Sequence, residues 1–148
     1  MTTANVDIYR SVGNDKSTEL FEFLAGNSNV EWSQIKTISD GLELNYLATS
    51  HVVDGDVSQS IIISQISSSN QFNSITGSPK VNITEANHSH TNGSIVVSPG
   101  DVKVAETLQS DFPNAKMHNV TFSNRQPIYT EFNRYSMPGL LPAIKITP

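Results

Sequence analysis

Three features of this sequence predict an all-β fold: an antiparallel β-sandwich or jelly-roll-like barrel of about eight or nine short strands, with one short helix near the N-terminus. Short stretches of alternating or β-branched apolar residues recur from end to end. Turn signals built on Gly, Pro, Asn and Asp separate them about every eight to fifteen residues. Nearly a third of the chain is Ser, Thr or Asn and only 16% is charged, so its polarity comes from hydroxyls and amides rather than ions. With 148 residues the chain has the size of one domain, and residues 1–148 read as a single β-sandwich domain.

Val6–Arg10 alternates and reads as a first strand, followed by a turn at Gly13-Asn14. Lys16–Ala25 is the helix. Asp15 can cap it, Leu20, Phe21, Phe23 and Leu24 form its apolar stripe, and Gly26 can end it in a left-handed conformation. Gly41–Val53 is the clearest strand, with Leu42, Leu44, Tyr46, Ala48 and Val52 on one face, and Asp54-Gly55-Asp56 breaks it. Ser58–Ser67 carries Ile61, Ile62, Ile63 and Ile66 and predicts a strand buried on both faces. Lys80–Thr84 is a short strand and Glu85–Asn92 a loop. Ser94–Ala105 reads two ways. Pro99-Gly100 fits a tight hairpin turn, whereas Asp101 could cap a helix with Ala105, Leu108 and Phe112 on its apolar face; the β-branched residues on both sides favour the hairpin. Lys116–Ser123 and Gln126–Ser136 are two further strands, and Ala143–Thr147 is a last short one after the Pro-Gly-Leu-Leu-Pro break. The Ser/Thr/Asn excess gathers in the turns, notably Ser67–Ser78 and Asn87–Ser94.

Charge and composition exclude several functions. The net charge is −5, with −6 in residues 1–74 and +1 in residues 75–148, and no basic run offers a footprint for nucleic acid or a membrane surface. The absence of cysteine removes disulfides, zinc-thiolate sites and thiol catalysis. The N-terminus has neither the basic nor the apolar region of a signal peptide, and apolar runs are far too short to span a membrane.

The chemistry-bearing residues are sparse. His88-x-His90 on a strand would put both rings on one face, with His118 as a third metal ligand, but Asn-His-Ser-His-Thr-Asn-Gly reads as a solvated loop. Asp54-Gly55-Asp56 resembles a fragment of a calcium loop and reads better as a turn. Serine with His51 and Asp54 forms no recognisable nucleophile motif, and Glu31 and Glu43 are the carboxylates that strand geometry allows for paired acid–base work. The expectation is therefore a non-enzyme with no metal site and no cofactor. The residues singled out for binding are aromatic: Tyr129, Phe132 and Tyr135 beside Arg134, together with Trp32, as an inter-subunit patch or a stacking platform.

Pro127 to Phe132 (Pro-Ile-Tyr-Thr-Glu-Phe), followed by Asn-Arg-Tyr-Ser and a proline-bearing tail, resembles the last strand of the capsid jelly rolls of picorna-like viruses, over Asn119 to Ser136. The resemblance implies a shell protein with no catalytic residues. The functional expectation is thus a virus or phage structural protein, as capsid, decoration or tail component, located in the virion or the host cytoplasm. Its partners would be copies of itself or other virion proteins. A carbohydrate-binding β-sandwich with a glycan on its exposed aromatics is the alternative.

Overall fold

A computed structural model describes residues 7–49, 56–69, 80–90 and 95–139. The fold is mixed α/β rather than all-β: among the described residues, three helices pack on one six-stranded mixed sheet. The elements run β1 (Asp7–Val12), α1 (Asn14–Gly26), β2 (Ser33–Ser39), β3 (Leu42–Thr49), α2 (Asp56–Ser69), β4 (Asn82–Ser89), α3 (Pro99–Asp111), β5 (Lys116–Ser123) and β6 (Gln126–Phe132). The sheet order is β1-β3-β2-β4-β5-β6, with every pair antiparallel except β4–β5. A single open sheet flanked by helices replaces the expected sandwich or jelly-roll-like barrel.

Helix α1 forms where the sequence predicts it, but its ends are held differently. Its N-terminus is capped from outside: the Glu43 carboxylate on β3 accepts from the backbone N–H of Asn14 (3.0 Å) and from the Asn14 amide (3.0 Å). Asp15 makes no cap. Gly26 is needed for space, since a Cβ there would come within 3.1 Å of the Phe122 ring. Ser17, Phe21 and Ala25, at a spacing of four, are its buried face.

Two expected strands are helices. In Ser58–Ser67 the isoleucines were read as a β-branched strand, yet Gln59, Ile62, Ile63 and Ile66 fall on one helical face and are buried together in α2. Burial of that face outweighs the weak β preference of isoleucine. At Pro99-Gly100 the helix reading is the correct one. Pro99 sits at the first turn of α3, where its missing N–H costs nothing. Ser98 and Asp101 form a reciprocal capping box: Asp101 N–H donates to Ser98 Oγ (3.0 Å) and Ser98 N–H to Asp101 Oδ2 (2.9 Å).

Strand β2, not among the expected strands, is joined to β3 by a tight hairpin in which Asp40 (φ 49) and Gly41 (φ 78) are both left-handed. The expected Glu85–Asn92 loop is largely strand, because β4 continues to Ser89 between β2 and β5. The expected strand at Ala143–Thr147 lies outside the described residues, as do His51, Asp54 and Gly55.

The sheet separates two cores. Helices α2 and α3 cover the larger one, with Ile35, Ala48, Ile83, Ala86, Met117 and Phe132 beneath Ile62, Ile63, Val104 and Leu108. Helix α1 covers the smaller, built on Phe21, Ala25, Leu47 and Val120. Phe132, expected at an interface, is 1% exposed and belongs to the larger core. Phe132→Ala should therefore cost about 3–5 kcal/mol of stability. Urea unfolding followed by circular dichroism reads this loss directly, and an unchanged midpoint would contradict its place in the core.

Candidate metal centre

The parallel pairing of β4 and β5 requires a crossover, and α3 supplies it. This brings the C-terminal end of β4 and the N-terminal end of α3 to the same end of the sheet. His88 and His90 lie at the former and Asp101 in the first turn of the latter. The chain around the histidines is fixed on both sides. Trp32 N–H donates to Ser89 Oγ (2.9 Å) and Ser89 N–H to the Trp32 carbonyl (2.9 Å), while His90 N–H donates to the Val120 carbonyl (2.9 Å). Period-two alternation then turns both rings to the side that α3 covers.

Three ligand atoms converge there. His88 Nε2 lies 2.9 Å from His90 Nε2 and 2.9 Å from Asp101 Oδ1, and His90 Nε2 lies 3.6 Å from Asp101 Oδ2. The His88 and Asp101 side chains are buried (0% and 1% exposed), and His90 is 10% exposed. Burial alone would raise the Asp101 carboxyl. Hydrogen bonds from His88 and His90, the charge of His88 and the Ser98 backbone N–H outweigh it and hold the group well below the usual carboxylate range.

These residues fit a zinc-class cation. Metal–ligand bonds of about 2.0–2.1 Å in a tetrahedron separate ligand atoms by roughly 3.3 Å, close to the separations found here. In the tautomers that carry the proton on Nδ1, the two inward-facing imidazole Nε2 atoms and the carboxylate present three lone pairs to one point. A divalent cation serves all three. The ligands are also oriented from behind: Asp101 Oδ2 accepts from Ser98 N–H (2.9 Å) and faces Asn119 Nδ2 at 3.4 Å.

Regular pairing of β2 with β4 ends at Ser33 and His88; beyond it Ser89 N–H donates to the Trp32 carbonyl, while Trp32 N–H turns to the Ser89 hydroxyl. Extended by one more step, that register sets Glu31 opposite His90, on the face that Ser33 and His88 share. Its carbonyl accepts from Thr49 Oγ1 at 2.9 Å. Glu43, the other carboxylate considered, is the helix cap described above.

His118, proposed from sequence as a third ligand, is on the opposite face of the sheet. Its Nδ1 lies 2.8 Å from Asn87 Oδ1 and its ring meets Tyr129 edge-on at 5.7 Å. There Asn87 also donates to Glu85 (2.7 Å) and to Gln34 (3.0 Å), Lys36 pairs with Glu85 (3.1 Å), and Gln34 donates to Ser17 (3.0 Å). This network backs β4 directly behind the histidines. Burial would raise the Glu85 carboxyl, but the hydrogen bonds from Asn87 and Lys36 and the charges of Lys36 and His118 hold it below its ordinary value. Burial, working against Glu85 and Glu131, pushes the His118 imidazole down.

The aromatic residues singled out from sequence do not form one surface. Trp32 and Tyr129 flank the smaller core, where the Tyr129 hydroxyl donates to Glu22 (2.9 Å). Phe132 is on the other side, its ring 6.2 Å from His88 and edge-on to it. Arg134 and Tyr135 lie beyond β6, stacked at 5.0 Å, and Arg134 N–H donates to Gln109 on α3 (2.9 Å). What the sequence reading missed was Asp101. The signal was present in the capping pattern Ser98-x-x-Asp101, but it points to a ligand only once His88-x-His90 is placed on a strand end.

A family model, JAB-like toxin 1, matches residues 9–116. No curated protein and no solved structure matches the chain. The matched span runs from β1 into β5 and contains His88, His90 and Asp101. The match overturns the resemblance to capsid jelly rolls, which rested on a stretch that here forms the edge hairpin β5–β6 of a mixed sheet. The expectation of a self-associating virion protein without enzymatic chemistry falls with it, as does its glycan-binding alternative.

The network behind β4 carries a pH signature. Because the folded Glu85 carboxyl titrates below its unfolded value, its contribution to stability is complete above about pH 4.3 and is lost as the pH falls through the folded value. Wild type should thus lose more stability than Glu85→Gln between about pH 6 and pH 3. Urea midpoints at a series of pH values measure this, and parallel profiles would remove the assignment.

Proposed function

Because the chain belongs to the JAB-like toxin 1 family, we propose that it is a metal-dependent hydrolase that cuts an amide bond of a protein target, and that this cleavage is its toxic activity. The observation that carries the reading is the convergence of His88 Nε2, His90 Nε2 and the Asp101 carboxylate, whose ligand atoms all lie within 4.8 Å of one another. Three protein ligands leave a fourth position open, the arrangement of catalytic rather than structural zinc sites. A zinc-class ion held there would supply Lewis acidity toward a carbonyl oxygen and a water acidified toward neutral pH.

The chain's own residues divide the remaining work. His88 and Asp101 form the buried floor, and His90, the one ligand with exposure, marks the side from which a substrate arrives. Glu31, outside the ligand set but beside His90 in register, is the group placed to accept a proton from the attacking water and deliver it to the leaving amine. The bonds between Trp32 and Ser89, one to the Trp32 carbonyl and one to the Ser89 hydroxyl, tie the segment that carries Glu31 to the strand end that carries the histidines. The Ser98–Asp101 box fixes the carboxylate in the same way from α3.

Cleavage of protein, peptide or isopeptide-linked substrates by the zinc-loaded chain should disappear with a chelator and return with zinc. His88→Ala should lose both zinc binding and cleavage. Glu31→Gln should keep zinc binding and lose about 10²–10⁴-fold in rate, the usual contribution of general acid–base catalysis. A zinc-loaded wild type inactive on all three substrate types, or a Glu31→Gln variant of full activity, would refute the reading.

A further inference from the structure

We infer that Asn119 on β5 is a positioning residue for the metal centre, one that sets which carboxylate oxygen of Asp101 faces the ion. The inference rests on the metal-centre reading above and extends it to a residue outside the ligand set. Asn119 is fully buried and pairs with His88 in the parallel ladder, so the two side chains share a face of the sheet. From there its Nδ2 reaches Asp101 Oδ2 at 3.4 Å. It is thus in register with a ligand on β4 while touching the ligand on α3.

The carboxylate explains the orientation of the amide. Asp101 Oδ2 already accepts from Ser98 N–H at 2.9 Å, and Asn119 Nδ2 adds a second donor to the same oxygen. Oδ1, without these donors and 2.9 Å from His88 Nε2, is thereby left as the oxygen free for the centre, although Oδ2 also stands 3.6 Å from His90 Nε2. The opposite amide rotamer would set Asn119 Oδ1 against a carboxylate oxygen, acceptor against acceptor, so the chemistry of Asp101 dictates which end of the amide points at it. Outer hydrogen bonds of this kind fix a ligand's orientation and strengthen its hold on a metal.

Stability alone does not favour this side chain. Asn119 Oδ1 is buried with no hydrogen-bond partner, an arrangement that penalises the fold. A leucine, with the same branching and the same number of heavy atoms, would remove that penalty along with the contact to Asp101. A structural role and a positioning role therefore predict opposite signs for one substitution.

The test uses the full chain as wild type, Asn119→Leu and Asn119→Ala, with zinc affinity measured by competition against a chromophoric chelator and thermal unfolding measured on the metal-free proteins. Asn119→Leu should bind zinc about 10–100-fold more weakly than wild type, while its metal-free melting temperature stays equal or rises. Asn119→Ala should show the same loss of affinity and carries the test if the leucine variant does not fold. Wild-type zinc affinity in the folded variants overturns the role of Asn119 and leaves the metal centre standing. A lowered melting temperature with intact zinc affinity marks Asn119 as structural and overturns it too. A wild type that takes up no zinc overturns the centre itself, and this role with it.

Discussion

The arrangement of this protein follows from one constraint, the parallel pairing of β4 with β5. Two parallel neighbours cannot be joined by a hairpin, so the chain must leave the end of β4, cross one face of the sheet and re-enter at the start of β5. A helix makes that crossing, and it has to begin where β4 stops. The last residues of the strand and the first turn of the helix are thus forced together at one sheet end. His88 and His90 occupy one side of that junction and Asp101 the other. The other strand contacts are antiparallel and impose no such junction, which is why the ligands gather here and not, for instance, at the β2–β3 hairpin.

The unusual composition acquires a different meaning in this architecture. Hydroxyl and amide residues were expected mainly in turns, and parts of those stretches lie outside the described residues. Within the sheet, however, Ser33, Gln34, Thr37, Asn45, Thr49, Asn87 and Asn119 are all buried. Buried polar groups are generally held by hydrogen bonds that replace water, and two sets of such bonds bear on the centre. One set, from Ser17 through Gln34 and Asn87 to Glu85, sits under and beside α1 and braces β4 from behind. The other, Ser98 and Asn119, surrounds Asp101. Half-buried Glu85 on β4 and buried Asp101 on α3 are each held by several donors, so the low overall charge coexists with strongly organised local electrostatics.

Part of this was legible in the sequence, and the boundary between what was and was not is physical. Strands with alternating patterns and clear turn flanks, β3, β5 and β6, are found close to their expected positions, and α1 is found because an apolar stripe at helical spacing has few competing readings. The first strand, β1, also overlaps its expected place, whereas the strand-or-helix ambiguity of short β-branched runs hid α2 and α3. Ile61-Ile62-Ile63 satisfies a doubly buried strand and a helix face equally well, and only packing of Gln59, Ile62, Ile63 and Ile66 on the sheet decides for α2. At Pro99-Gly100 both readings were visible, and the hydrogen bonds of Ser98 and Asp101 settle the matter. The start of β4 lies in the expected strand Lys80–Thr84, and its continuation was missed because its last residues, Asn87 to Ser89, are polar. They are polar because one face carries a hydrogen-bonded network and the other the His88–His90–Asp101 cluster, and this erases the hydrophobic alternation by which a central strand is recognised.

That erasure also explains why His88-x-His90 was so easily set aside. In a solvated loop, two histidines separated by one residue have no fixed relation. In a strand, the same spacing puts both rings on one face about 7 Å apart along the backbone, near enough for their Nε2 atoms to converge. The pair therefore has chemical meaning only if the backbone at Ser89 is held extended, and two neighbours hold it: Trp32 through reciprocal bonds on one side and Val120 through His90 N–H on the other. A third ligand thirteen residues beyond His88 comes within reach only because a capped helix starts at Ser98. Ligand spacing, strand extension and helix start are thus one property of the chain. A substitution that loosened the Trp32–Ser89 pairing would undo the centre as surely as the loss of a histidine.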